Sequence, residues 1–167
     1  MKGGEKMKKI VLLLIMVIIG TAAFAAAAKP VPAASGSQGF TAVSLNSIPG
    51  VASARFGFGS WSLDAGGTIA NAANTTTITL LLKGEIPMAT VSSDVRTYVA
   101  PALVLVSGGG ASTTTLNVFL GAEYMFNPHL ALFADLTAFT LTSAGGTTTW
   151  TIGGNSPLIY SGGRLYL

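Results

Sequence analysis

The sequence predicts an all-β fold, an antiparallel up-and-down transmembrane β-barrel. The main observation is the stretch 116–142, in which apolar residues alternate with mixed ones on both sides of Asn127-Pro128. A period of two is typical of β-strands, and Asn-Pro is a turn signal, so the stretch predicts a hairpin with one apolar face. We expect the even-numbered positions from 116 to 140 to face lipid and the odd-numbered positions to face a lumen.

Composition is the second observation. Half of the 167 residues are hydrophobic and only 9% are charged, against about 25% in an average soluble domain. After the N-terminal segment no apolar run is long enough for a membrane helix, whereas Gly and Thr are abundant. These features are typical of strands with one lipid-facing side. A secreted soluble β-sandwich is the alternative, although its outer faces usually carry many charges.

The N-terminal segment predicts export. Residues 1–25 combine lysines, the apolar run 10–19 and Ala23-Phe24-Ala25, as in a cleaved signal peptide. An uncleaved anchor is the alternative, because 10–28 is long enough to span a membrane. Residues 26–38, rich in Ala, Pro and Ser, predict a disordered leader, and 39–167 the barrel. From residue 26 on, five cations balance five anions, so we expect no nucleic-acid partner.

Seven segments have strand patterns, and 147–152 (TTTWTI) predicts a short extension of the sheet. The segment 64–74 (DAGGTIANAAN) predicts a loop, and Trp61 falls on the mixed face of its strand. The predicted strands are 39–48, 52–63, 75–86, 95–106, 114–126, 130–142 and 157–167.

An internal repeat orders these strands. TTTITLLLKGEI (75–86) aligns without a gap on TTTLNVFLGAEY (113–124), which places Glu85 on Glu123. Each Thr triplet follows a loop of Gly, Ala, Ser or Asn. The repeat therefore predicts that these loops share one rim of the barrel and the Pro-containing turns the other.

The mixed face contains the candidate functional residues, four cations and three anions: Arg55, Lys83, Glu85, Arg96, Glu123, Asp135 and Arg164. Isolated buried charge is costly, so we expect each to find a partner in the lumen. Strand directions place Arg96 and Arg164 near Glu85 and Glu123, which predicts a Glu–Arg cluster closing the lumen at the rim with the Pro-containing turns. A selective conduit or ligand cavity is the alternative.

The chain resembles the small outer-membrane β-barrels of bacteria in its signal segment, in GAEYMFNPHLALFADL (121–136) and in its C-terminal strand. In that family the last strand has a polar residue, a glycine and then alternating hydrophobic residues that end in an aromatic one. Tyr160, Gly162, Leu165 and Leu167 occupy these places, but Leu167 stands where Phe or Trp is usual. The resemblance implies location in the outer membrane, lipid as the partner and recognition of these four residues by the barrel-assembly machinery. It also implies eight strands, because such barrels close with an even number. Six strands around an internal N-terminal segment are the alternative.

The sequence predicts no enzyme. His129 is the only histidine, and it follows a turn at the rim opposite the Thr-rich loops. The chain has no cysteine, which excludes disulfides and thiolate metal sites, so we expect no metal and no cofactor. The predicted function is structural or surface-interacting, with a lumen filled by side chains. A narrow porin-like channel for small solutes is the alternative, and the sequence names no surface ligand.

Overall fold

A computed structural model describes residues 39–46, 50–72, 74–153 and 159–167. Among these residues no helix is long and apolar enough to cross a membrane. The predicted signal peptide (1–25) and leader (26–38) lie outside the described residues. The described part of the chain forms nine strands: β1 (Gly39–Asn46), β2 (Val51–Phe58), β3 (Trp61–Ala72), β4 (Thr75–Thr90), β5 (Val95–Gly108), β6 (Ala111–Asn127), β7 (Leu130–Ala144), β8 (Thr147–Ile152) and β9 (Ile159–Tyr166).

Eight of the strands in the described part of the chain close into an antiparallel barrel. β1 to β7 pair in sequence order, and β9 pairs with both β7 and β1. β8 lies beyond β9 on the same edge of β7, where it pairs with residues 139–144. The all-β, up-and-down, eight-strand prediction is therefore confirmed. The six-strand and β-sandwich alternatives are wrong, because one continuous sheet closes on itself.

The connections fall on two rims. The lower rim consists of the β2–β3, β4–β5 and β6–β7 connections, with the start of β1 and the end of β9. The upper rim consists of the β3–β4, β5–β6 and β7–β8 connections. Pro128 lies on the lower rim, and the glycine pairs 109–110 and 145–146 lie on the upper rim, as the repeat predicts. Gly50, which follows Pro49 in the connection from β1 to β2, lies on the upper rim, so the prediction that all Pro-containing turns share the lower rim is wrong.

Alternation along β6 and β7 follows the predicted register up to Leu136. Leu120 and Leu132 face outward, whereas Phe119 and Phe133 are buried in the lumen. Beyond that point the prediction is wrong, because a bulge makes Val118 pair with Phe139 and Phe119 with Thr137. The extra residue reverses the side on which later side chains point. Phe139 therefore lies on the outer wall.

The prediction for 52–74 is wrong in a different way. Phe58 and Trp61 pair directly across a two-residue turn, so the predicted strand 52–63 is two strands. Gly59 has a φ of +71°, which suits glycine at the first central position of a tight hairpin turn. The turn brings Trp61 to the outer wall, where it stacks on Phe58 with ring centroids 4.6 Å apart. The predicted loop 64–74 is largely β3.

Candidate functional site

The lower half of the lumen is filled by one network of ionisable side chains, the charged layer. All seven predicted lumen charges belong to it, and β3 adds Asp64, which the sequence predicts to lie in a loop. Four cations thus face four anions. Asp64, Lys83, Glu85, Glu123, Asp135 and Arg164 are each at most 2% exposed. Balanced charge in so dry a space is required, because an unpaired buried ion costs several kcal/mol.

Arg164 is the centre of the charged layer. Its Nη2 lies 2.7 Å from Glu85 Oε1 and 3.0 Å from Asp64 Oδ2, and its Nη1 lies 2.5 Å from Glu123 Oε1. Its Nε donates to Ser44 Oγ at 3.0 Å. One guanidinium from β9 therefore binds carboxylates of β3, β4 and β6, which joins opposite walls of the barrel.

Two further cations connect to this centre from the lower rim. Arg55 Nη1 lies 2.7 Å from Glu85 Oε2. Arg96 Nε lies 2.6 Å from Glu123 Oε2, and its Nη2 donates to Tyr166 Oη at 2.7 Å. The predicted Glu–Arg cluster thus exists in a different arrangement. Arg164 bridges Glu85 and Glu123, whereas Arg96 binds Glu123 alone.

A second arm of the network extends towards the middle of the lumen. Lys83 Nζ lies 2.5 Å from Asp135 Oδ2 and 3.1 Å from Glu85 Oε1. Tyr98 Oη donates to Asp135 Oδ1 at 2.7 Å. The ring of Phe133 lies between two cations, 4.6 Å from Lys83 Nζ and 4.8 Å from Arg164 Cζ. This aromatic face adds cation–π attraction where water is excluded.

Above Tyr98 the lumen changes character. The upper part, the apolar layer, is centred on buried apolar side chains from four strands, with Tyr160 packed edge-on against Phe119 at 5.5 Å. Buried polar residues share this region, since Thr137 pairs with Phe119 and Asn117 with Ala102 across neighbouring strands. Its buried members are Val51, Leu81, Ala100, Ala102, Val104 and Phe119. The two layers lie one above the other in the barrel interior.

Two glycines make room for the aromatic rings at the boundary between the layers. A Cβ on Gly121 would lie 2.0 Å from the Tyr98 ring, and a Cβ on Gly162 would lie 2.4 Å from the Phe133 ring. Larger residues would displace these rings from Asp135 and Arg164. Gly162 therefore has a packing role in addition to its predicted place in the C-terminal signal.

The other residues of the predicted C-terminal signal divide between the two faces of β9. Tyr160 points into the lumen, whereas Leu165 and Leu167 are exposed on the outer wall. Tyr166, which that signal omits, is in the charged layer, where its hydroxyl donates to Glu123 at 2.8 Å. Recognition of the strand by assembly machinery stays a prediction.

Within the described ranges, no group of three or more His, Cys, Asp or Glu side chains could hold a metal ion. His129 is exposed at the lower rim, with Nδ1 3.3 Å from the carbonyl oxygen of Tyr166. Comparison of the chain with protein-family models, curated proteins and solved structures finds no match.

Proposed function

We propose that the chain is an outer-membrane β-barrel whose filled lumen makes it a structural scaffold for threonine-rich upper hairpins. The observation that carries the proposal is the inverted polarity of the barrel. Of the charged side chains in the described residues, only Asp94 lies outside the lumen and its mouth. A barrel surrounded by water normally has the opposite distribution, with Lys, Arg, Asp and Glu on its surface.

The height of the apolar outer wall supports the same proposal. In β6 the apolar positions that alternate on the outer side begin at Leu116, which is buried, and end at Phe126, which is exposed. Ten residues of strand span about 33 Å. At a tilt of about 40° this becomes roughly 25 Å, which is the height of the apolar band of outer-membrane barrels. Lipid chains would cover this band.

Aromatic side chains mark the lower boundary of the band. Phe58 stacks on Trp61 there, and Tyr124 packs edge-on against Phe126 at 4.9 Å. Such aromatic girdles are typical of the interface between lipid and water. The short connections of the lower rim suit the periplasmic side, because outer-membrane barrels have short periplasmic turns.

The upper hairpins extend beyond the band as a hydroxyl-rich sheet. Thr115, Thr142 and Thr149 align across β6, β7 and β8, and the hydroxyls of the first two lie 3.4 Å apart. This sheet is the part of the described structure best placed to meet surface partners. The packed lumen favours this scaffold role over the narrow channel.

Membrane fractionation tests the placement. The proposal expects the protein to stay in the membrane after carbonate extraction and to migrate differently with and without boiling on a denaturing gel. Leu120→Arg should destabilise the folded barrel by about 2–4 kcal/mol, because Leu120 would lie in the lipid band. Thr114→Arg, on the same strand above the band, is the matched control and should change stability little. Carbonate release with identical migration would refute the proposal.

A further inference from the structure

The lower mouth of the barrel contains a cavity of about 260 Å³ that the charged layer does not fill, the mouth cavity. Its polar lining is formed by Thr41, Arg55, Ser60, Ser62, Arg96 and Tyr166, and its apolar lining includes Phe40 and Trp61. Among the described residues no Asp or Glu side chain lines it. The wall therefore presents two guanidinium groups and several hydroxyls without a facing carboxylate.

The two arginines of the mouth cavity differ from Arg164 in how much of the guanidinium is occupied. Arg164 engages all three nitrogens with described side chains. Arg55 engages carboxylates through Nη1 alone, and Arg96 uses Nε and Nη2. Within the described part of the chain, this leaves Nε and Nη2 of Arg55 and Nη1 of Arg96 without a partner. A guanidinium is suited to hold an oxyanion through such donors.

Burial strengthens the electrostatic attraction between these donors and an anion. The side chain of Arg55 is 10% exposed and that of Arg96 25%. An anion in the mouth cavity would thus interact with charges that bulk water screens only in part. The carboxylates of Glu85 and Glu123 hold the two guanidiniums in place from the inner side. The site is therefore preorganised for a ligand that approaches from the lower rim.

We propose that the mouth cavity binds a small oxyanion, a phosphate or carboxylate group held by Arg55 and Arg96, with any apolar portion of the ligand against Trp61. The source of that group is either a free small molecule or a lipid headgroup, because Trp61 lies at the lower aromatic girdle. The proposal does not require a pore, because the residues that line the cavity lie at the lower mouth of the barrel.

Trp61 provides the test. The chain contains two tryptophans, so Trp150→Phe leaves Trp61 as the only indole. The folded full-length protein in a neutral detergent is titrated with inorganic phosphate and with phenyl phosphate at constant ionic strength set by chloride. We expect a saturable change in Trp61 emission with phenyl phosphate, and none with benzyl alcohol, which has a similar ring and no charge.

Arg55→Gln and Arg96→Gln should each weaken phenyl phosphate binding about tenfold or more, because each removes charge-assisted hydrogen bonds. Thr147→Glu makes the same change of net charge at an exposed position of β8 on the upper rim, away from the cavity and the charged layer, and should leave the affinity unchanged. If Arg55→Gln fails to fold, Arg96→Lys, which keeps the charge and loses the planar fork, should still weaken binding.

A lipid arm distinguishes the two sources. Phosphatidylglycerol in the micelle should compete with phenyl phosphate if the natural oxyanion is a headgroup and should not compete if it is a free molecule. Either result is compatible with the site. The proposal is overturned if neither phosphate gives a saturable signal with the folded protein, or if Thr147→Glu weakens binding as much as Arg96→Gln.

Discussion

The charged layer and the apolar layer fill the same lumen by different physical means. In the charged layer four cations and four anions are joined in one network, and Arg164 alone contacts three carboxylates. In the apolar layer, Phe119, Leu81 and their neighbours fill space by shape and are fully buried. Dispersion and burial stabilise the apolar layer, whereas the charged layer is stable only while its charges balance.

This difference between the layers predicts which substitutions the fold tolerates. An apolar layer loses stability in proportion to the volume removed. In a charged layer, one substitution lowers stability by more than the volume it removes would predict. The charged partners that remain are still desolvated but have lost the opposite charge that compensated for this cost. The two layers should therefore respond differently to single and to paired substitutions, and this contrast can be measured.

Arg164→Met should have the largest effect. It leaves Asp64, Glu85 and Glu123 without their shared cation, and we expect the free energy of unfolding to fall by about 5 kcal/mol. Urea unfolding in lipid vesicles, followed by tryptophan emission, measures the change. Arg164→Lys keeps the charge but not the fork, so its loss should be smaller. Equal losses for the two variants would show that the contribution of Arg164 to stability comes from the geometry of its guanidinium and not from its charge.

Phe119→Ala should come next, with a loss of about 4 kcal/mol from the cavity it leaves in the apolar layer. Phe119→Leu retains most of the volume and should cost much less. The same unfolding experiment gives both values. A loss under about 1 kcal/mol for Phe119→Ala would mean that the apolar layer is not close-packed.

A double-mutant cycle on Lys83 and Asp135 should show the non-additivity specific to the charged layer. Lys83→Met alone should cost about 3 kcal/mol, because Asp135 then lacks a cation. Adding Asp135→Asn should recover part of that loss, since the charges are balanced again. Strictly additive losses in the cycle would contradict the coupling between the two side chains.

Gly121→Ala should have the smallest effect of the four, about 1–3 kcal/mol. The added methyl group overlaps the Tyr98 ring and must displace it from Asp135. Tyr98→Phe in the Gly121→Ala background tests this reason. If displacement of the hydroxyl is the cause, Tyr98→Phe should add little to the loss caused by Gly121→Ala.

Much of this arrangement could be predicted from the sequence, because alternation fixes which side of a strand each residue faces. Lys83, Glu85 and Glu123 were placed in the lumen on that basis. Asp64 could not be placed in the lumen, because the glycines and asparagines that follow it are typical of a loop. The turn at Gly59 also does not interrupt the alternation of apolar residues, so the start of β3 has no signal in the sequence. The bulge near Ala138 was missed because one inserted residue has no compositional signature.

The partners of the arginines could be predicted only in part. Strand order places Arg96 beside Glu123 on β5 and β6, and these residues do pair across neighbouring strands. Arg164 reaches Glu85 across the lumen, and that contact depends on the tilt and stagger of the closed sheet. Neither quantity can be derived from alternation in a single strand.

Conductance in planar lipid bilayers tests most directly the central claim that the two layers close the lumen. Folded protein, verified by its altered migration without boiling, should give no steps above the bilayer background, and Phe119→Ala should give none either, because the charged layer still blocks the lumen. Stable unitary conductance by the wild-type protein would contradict the claim, most clearly if Arg96→Ala left that conductance unchanged.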